Sequence, residues 1–112
     1  MNKKRVGIVG VGNVGATLAF TLATKDICSS ILLKDQRENI TQAMALDISQ
    51  ATNAANSKTV IYACLNDEEF NNCDVIVITA GVARKPGMSR DDLLLINAKI
   101  MTSVIKGIIP YN

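Results

Sequence analysis

The 112-residue chain contains no histidine at all. That absence removes the commonest general base, the commonest zinc ligand and every Ser-His or Cys-His nucleophile arrangement. Any chemistry must come from a bound cofactor or from a part outside these residues. Aromatic residues make up only 4% and the formal charge is only +2, so no basic field with stacking rings awaits nucleic acid. Proline occurs twice and glycine seven times, while apolar residues reach 48%. This is the composition of an ordered globular chain, not a disordered one. The three cysteines, Cys28, Cys64 and Cys73, form no C-x-x-C pair, which argues against a disulfide framework or a zinc site and fits a reduced, cytoplasmic setting. Met1 to Arg5 resembles the basic start of a signal peptide, but Gly7, Gly10, Gly12, Asn13 and Gly15 interrupt the apolar run behind it. No uninterrupted apolar run elsewhere approaches the roughly 20 residues of a membrane span. A soluble single domain with no membrane partner is expected.

What is present is an alternation of short β-branched runs with longer helical patterns, the mark of strand-helix-strand units and a parallel sheet. Strands are expected at 5–9, 30–34, 59–63 and 74–79, each apolar enough to read as sheet interior. Helices are expected at about 13–24 and 38–55, with a short acidic turn near 67–71. A last helix should begin after Met88, where Ser89 can cap it and Asp91 and Asp92 favour its positive end, and run to about Gly107. Its apolar residues, among them Leu93, Leu94, Ile96, Ile100, Met101, Val104, Ile105 and Ile108, cover more than half the helical wheel, a wider arc than one sheet face needs. The excess expects a second partner, either more chain or another subunit. Asn97 falls inside this arc, where its amide must find hydrogen bonds from neighbouring backbone or from a ligand.

Directly after the first strand stands Gly10-Val11-Gly12-Asn13-Val14-Gly15, a G-x-G-x-x-G that opens a helix. Gly10 permits the tight turn, Gly12 lets the backbone approach a pyrophosphate, and Gly15 lets helix and strand pack closely. Amides at the helix start and the positive end of its dipole would face the anion. A glycine pattern alone could serve any tight turn. Here the second strand ends at Asp35, and 35 minus 15 gives the offset of about 20 at which an acid accepts hydrogen bonds from the adenosine ribose. Such an acid repels a 2′-phosphate, so NAD is expected over NADP, with Lys34 and Arg37 able to soften that repulsion. The fold implied is α/β, a Rossmann-type parallel sheet in the order 3-2-1-4 with helices on both faces and right-handed crossovers.

After the fourth strand comes Thr79-Ala80-Gly81-Val82-Ala83-Arg84-Lys85-Pro86-Gly87-Met88-Ser89-Arg90. It lies at the carboxyl edge of the sheet, where ligands bind in open α/β folds. Two glycines and a proline let it reshape, and its cations suit closure over a small anion with expulsion of water. A solvated basic loop is the plainer alternative.

Together these segments resemble the NAD-dependent lactate and malate dehydrogenases. The resemblance covers essentially the whole chain through the G-V-G-N-V-G turn, Asp35, Ala45-Leu46-Asp47-Ile48, Ile78 to Gly81 and Arg84 to Leu94. It is confined to the cofactor-binding half, so residues 1–112 are expected to be a truncated NAD-binding domain without the catalytic C-terminal half. The resemblance implies cofactor contacts from Gly10, Val11, Gly12, Asn13, Val14, Gly15, Asp35, Thr79, Ala80, Gly81 and Asn97. It implies a catalytic role for Arg90, as the loop arginine that closes on substrate and polarises the carbonyl receiving the hydride, and no metal. It places Arg84 at the specificity position, where lactate enzymes usually carry glutamine and malate enzymes arginine. A guanidinium fork can hold the second carboxylate of malate or oxaloacetate, and would be left unpaired against lactate's methyl.

The implied activity is hydride transfer between L-malate and NAD, with a dicarboxylate substrate and a homo-oligomeric assembly. The family's catalytic histidine lies in the later half, so this polypeptide taken alone should not complete turnover. Three alternatives stay open: an L-lactate dehydrogenase, a non-catalytic NAD-binding module, and a methyltransferase, whose usual loop lacks the third glycine at this spacing.

Overall fold

The computed structural model describes residues 3–79, 81 and 85–111. Four strands, β1 (Lys4–Val9), β2 (Cys28–Lys34), β3 (Val60–Ala63) and β4 (Val75–Ile78), form one sheet in the order β3-β2-β1-β4. Every pairing is parallel, with Val6 opposite Ile31 and Val75, and Leu32 opposite Tyr62. The helices are α1 (Asn13–Thr24), α2 (Glu38–Ala54) and α3 (Arg90–Ile108), with short 3-10 helices at Asp67–Asn72 and Ile109–Tyr111.

Side chains alternate across a strand, and the two faces have different covers. On one face Val6, Ile8, Ile31, Leu33 and Ile61 pack beneath Ala19 and Ala23 of α1 and Ala45 and Ile48 of α2. Small residues on both helices let them sit close to the branched side chains of the sheet. On the other face Val9 and Leu32 meet Phe70 from the first 3-10 helix and Ile108 from the end of α3. Phe70 is fully buried, and a Cβ on Gly7 would lie 2.8 Å from its ring, so the glycine in β1 makes the seat for that ring. Helices on both faces are therefore observed, although α3 is anchored mainly by its carboxyl end.

Two sequence expectations change. The four strands are not all sheet interior: β3 and β4 are the outer strands among the described residues, and Val60, Tyr62 and Val75 are each about half exposed. An apolar run reports the polarity of a strand's faces and carries no information about whether its edges are paired. The second change concerns α3. Continued by the last 3-10 turn, Arg90–Tyr111 is 22 helical residues containing an 18-residue window with a mean hydropathy of 1.5, long and apolar enough by length and composition to cross a membrane. Counting uninterrupted apolar residues missed it because Asn97, Lys99, Thr102, Ser103 and Lys106 break the run without lowering its average enough. The exposed apolar side chains of α3 include Leu94, Leu95, Ile96 and Ile105.

Candidate functional site

The carboxyl ends of β1, β2 and β4 meet at the glycine turn. Gly10 holds a positive φ of 99°, and its amide donates to Lys34 O at 2.7 Å, tying the turn to β2. Thr79, just past β4, donates from its amide to Val9 O and from its hydroxyl to Gly10 O, both at 2.7 Å. The same hydroxyl lies 2.8 Å from where a Cβ on Gly15 would be, and Gly10 O lies only 1.8 Å from that position. Only glycine at 15 lets α1 start this close to β1.

Gly12 is different in kind. Its φ of −82° is open to any residue, and among the described residues no atom beyond its chain neighbours lies within 4 Å of the position its Cβ would take. Neither backbone conformation nor a described neighbour requires glycine there. The start of α1 is also bare: its cap residue is Gly12, no side chain caps it, and no acid stands in its first turn. The first helical bond runs from Ala16 N to Gly12 O at 2.8 Å, so the amides of Asn13, Val14 and Gly15 precede the intrahelical ladder. Asn13 and Val14 are exposed beside Gly12. By contrast α3 begins with a full capping box, in which Ser89 Oγ accepts from Asp92 N at 3.0 Å and Asp92 Oδ2 accepts from Ser89 N at 3.1 Å. The positive end of α1 thus has no side-chain cap among the described residues and open space at Gly12, while that of α3 is satisfied from within.

Asp35 sits beside this turn, its side chain 11% exposed. Its Oδ2 accepts from Val11 N at 2.8 Å and from Arg37 Nη2 at 3.2 Å, and its Oδ1 accepts from Arg37 N at 3.0 Å and Nε at 2.9 Å. The Arg37 side chain, with help from the two backbone amides and against the opposing effect of desolvation, draws the carboxyl from 3.8 down to about 2. Of the two flanking cations, Arg37 alone pairs with this acid. Lys34 turns to Asp67 in the first 3-10 helix and lies 6.0 Å from the centroid of the Phe70 ring.

A depressed pKa contributes stability that is fully present above the unfolded value, near pH 4, and lost as pH falls through the folded value near 2. Because Arg37 faces water, screening reduces the effect to about 1 kcal/mol. Urea unfolding of the wild type and Asp35→Asn should therefore show the wild type's advantage shrinking by that amount between pH 5 and pH 2. An advantage unchanged over that range would show that the pair adds nothing to folding.

At the far side of the site, Gly81 has a φ of 151°, and the position of its Cβ would lie 3.0 Å from Asn97 Oδ1 on α3. Asn97 is half buried and holds a partner within the protein. Two residues 16 apart, both expected at the cofactor, are thus adjacent in space. Arg90 is the exposed first residue of α3, directly behind the Ser89 cap. Ala80 and Arg84, also expected at the site, lie outside the described residues.

The sequence pattern missed the bond from Val11 N to Asp35 and the two-pronged grip of Arg37. It also missed the capping box of Asn66 and Glu69 that begins the first 3-10 helix, although N-x-x-E was readable as a cap.

The whole described fold agrees with one family. Residues 4–112 match the family model described as lactate/malate dehydrogenase, NAD binding domain. The chain belongs to this family. It is 65% identical, over all 112 of its residues, to a malate dehydrogenase of Aliarcobacter butzleri, of which it covers 36%. Among solved structures, the apo malate dehydrogenase of Picrophilus torridus superposes with a TM-score of 0.91 at 39% identity, covering 98% of this chain and 35% of that one. The minor L-lactate dehydrogenase of Enterococcus mundtii, in a ligand-bound form, superposes at 0.92 with 27% identity over 97% of this chain and 34% of that one. The chain spans about a third of the length of each of these relatives.

Proposed function

We propose that this chain is the cofactor-binding part of an NAD-dependent malate dehydrogenase that interconverts L-malate and oxaloacetate. The observation that carries the reading is the bare start of α1: a glycine at 12 that nothing in the described protein requires, open space in front of it, and exposed backbone beyond it. Those features suit a dinucleotide's pyrophosphate. When bound, NAD supplies the redox chemistry, accepting or returning hydride.

The chain's own residues bind and orient. Asn13, Val14 and Gly15 offer main-chain donors to the phosphates, and Gly10 and Val11 shape the turn that aims them. Asp35 accepts from the ribose, while Thr79, Ala80, Gly81 and Asn97 line the path toward the nicotinamide end. Arg90 closes on the substrate and polarises its reacting carbonyl, and Arg84 grips the second carboxylate of the dicarboxylate. Residues 1–112 contain no histidine, so in this reading the family's catalytic histidine would come from outside them. The wide exposed apolar surface of α3 supports a homo-oligomer. The free thiols of Cys28, Cys64 and Cys73 fit a cytoplasmic setting, and the malate–oxaloacetate reaction alone ties the proposal to the tricarboxylic acid cycle.

Steady-state kinetics on the complete enzyme test the substrate. Arg84→Gln should lower kcat/KM for oxaloacetate roughly a hundredfold, the loss of two charge-assisted hydrogen bonds, while reduction of pyruvate rises. Faster turnover of pyruvate than oxaloacetate by the unaltered enzyme, with no change on Arg84→Gln, would assign it to lactate instead.

A further inference from the structure

Asp35 is the acceptor proposed for the ribose, and in this structure its accepting capacity is already in use. A carboxylate offers about four lone-pair positions, and four N–H groups occupy them: Val11 N, Arg37 N, Arg37 Nε and Arg37 Nη2, at 2.8 to 3.2 Å. The donors are of two kinds. Val11 N and Arg37 N are backbone, and both are fixed. Val11 is buried in the turn, and the main chain of Arg37 is held by Ile40 N and Thr41 N, each donating to Arg37 O at 3.1 Å. The other two belong to a guanidinium whose side chain is 56% exposed. It has no other described ion pair, and it can swing into water at the cost of one surface pair.

We infer that Arg37 competes with the cofactor's ribose for Asp35 and thereby sets the ratio of NAD to NADP binding. A ribose diol gains its acceptor only when the guanidinium withdraws, so Arg37 lowers affinity for NAD. Tethered two residues from Asp35, the displaced guanidinium remains beside the ribose. It offsets the repulsion between Asp35 and a 2′-phosphate and offers that phosphate a fork of its own. Arg37 is thus a specificity-determining residue that narrows the discrimination Asp35 would otherwise impose. The inference rests on the proposed cofactor reading and deepens it at the adenosine end.

Calorimetric titration of NAD and NADP into the full chain, and into Arg37→Ala and Arg37→Lys, tests it, with circular dichroism checking that each variant keeps the wild-type fold. Arg37→Ala should bind NAD about two- to fivefold more tightly, the worth of an exposed ion pair. It should bind NADP on the order of tenfold more weakly, as loss of a nearby charge predicts. Arg37→Lys, which keeps the charge and loses the fork, should keep NADP affinity closer to wild type than Arg37→Ala does. Wild-type binding of NAD with both affinities unchanged in Arg37→Ala, or with NAD weakened, overturns the inference and leaves the cofactor reading standing. Failure of the wild-type chain to bind either dinucleotide overturns both.

Discussion

Replacing Gly15 with alanine should cost about 3–4 kcal/mol of folding stability, enough to lower the melting temperature by roughly 15–25 °C. The reason is a single distance. The new methyl would lie 1.8 Å from Gly10 O and 2.8 Å from Thr79 Oγ1, and neither atom can retreat freely. Gly10 is fixed by its amide's bond to Lys34 O, and Thr79 is fixed by bonds to Val9 O and Gly10 O. Relief therefore requires α1 to move away from β1, and with it Ala19 and Ala23, both fully buried against the sheet. Thermal unfolding followed by circular dichroism measures the loss. Gly15→Ala melting within a few degrees of wild type would show that α1 can slide outward cheaply and that the close approach is not what selects glycine.

Much of this architecture was legible because the determining interactions are local or periodic. The strands were visible as β-branched runs, and α1 begins at Asn13, directly after the second glycine of the turn. The cap of α3 was readable from Ser89 and Asp92, whose reciprocal bonds span three residues. What escaped depends on contacts between segments distant in sequence. Gly7 looked like an interruption of an apolar run, whereas it makes room for Phe70, 63 positions later. Lys34 and Arg37 stood on either side of Asp35 with equal claim to it. Lys34, still in β2, instead meets Asp67, while Arg37, beyond the strand's end, folds back onto the acid. The exposure of Val60, Tyr62 and Val75 follows from which strands are outermost, a property of the assembled sheet that no strand carries in its own residues. At the site itself the spacing between the turn and Asp35 pointed to the acid. It could not reveal that the acid also accepts from Val11 N, and so helps fix the turn that it was expected only to accompany.

The middle glycine should answer in the opposite way. Gly12→Val is expected to leave the melting temperature within a few degrees of wild type, because the existing φ of −82° suits any residue and open space surrounds the Cβ position. The same substitution should weaken NAD binding roughly a thousandfold, about 4 kcal/mol, by filling the space through which a pyrophosphate must approach the backbone. Calorimetric titration beside a thermal melt reads both quantities from one preparation. The two glycines then separate fold from function within a single turn: Gly15 is held by the protein's own atoms, and Gly12 by what the protein binds. Retention of wild-type affinity in a well-folded Gly12→Val chain would place the phosphates elsewhere. The bare start of α1 would then be no more than an uncapped helix, and the reading built on it would fail.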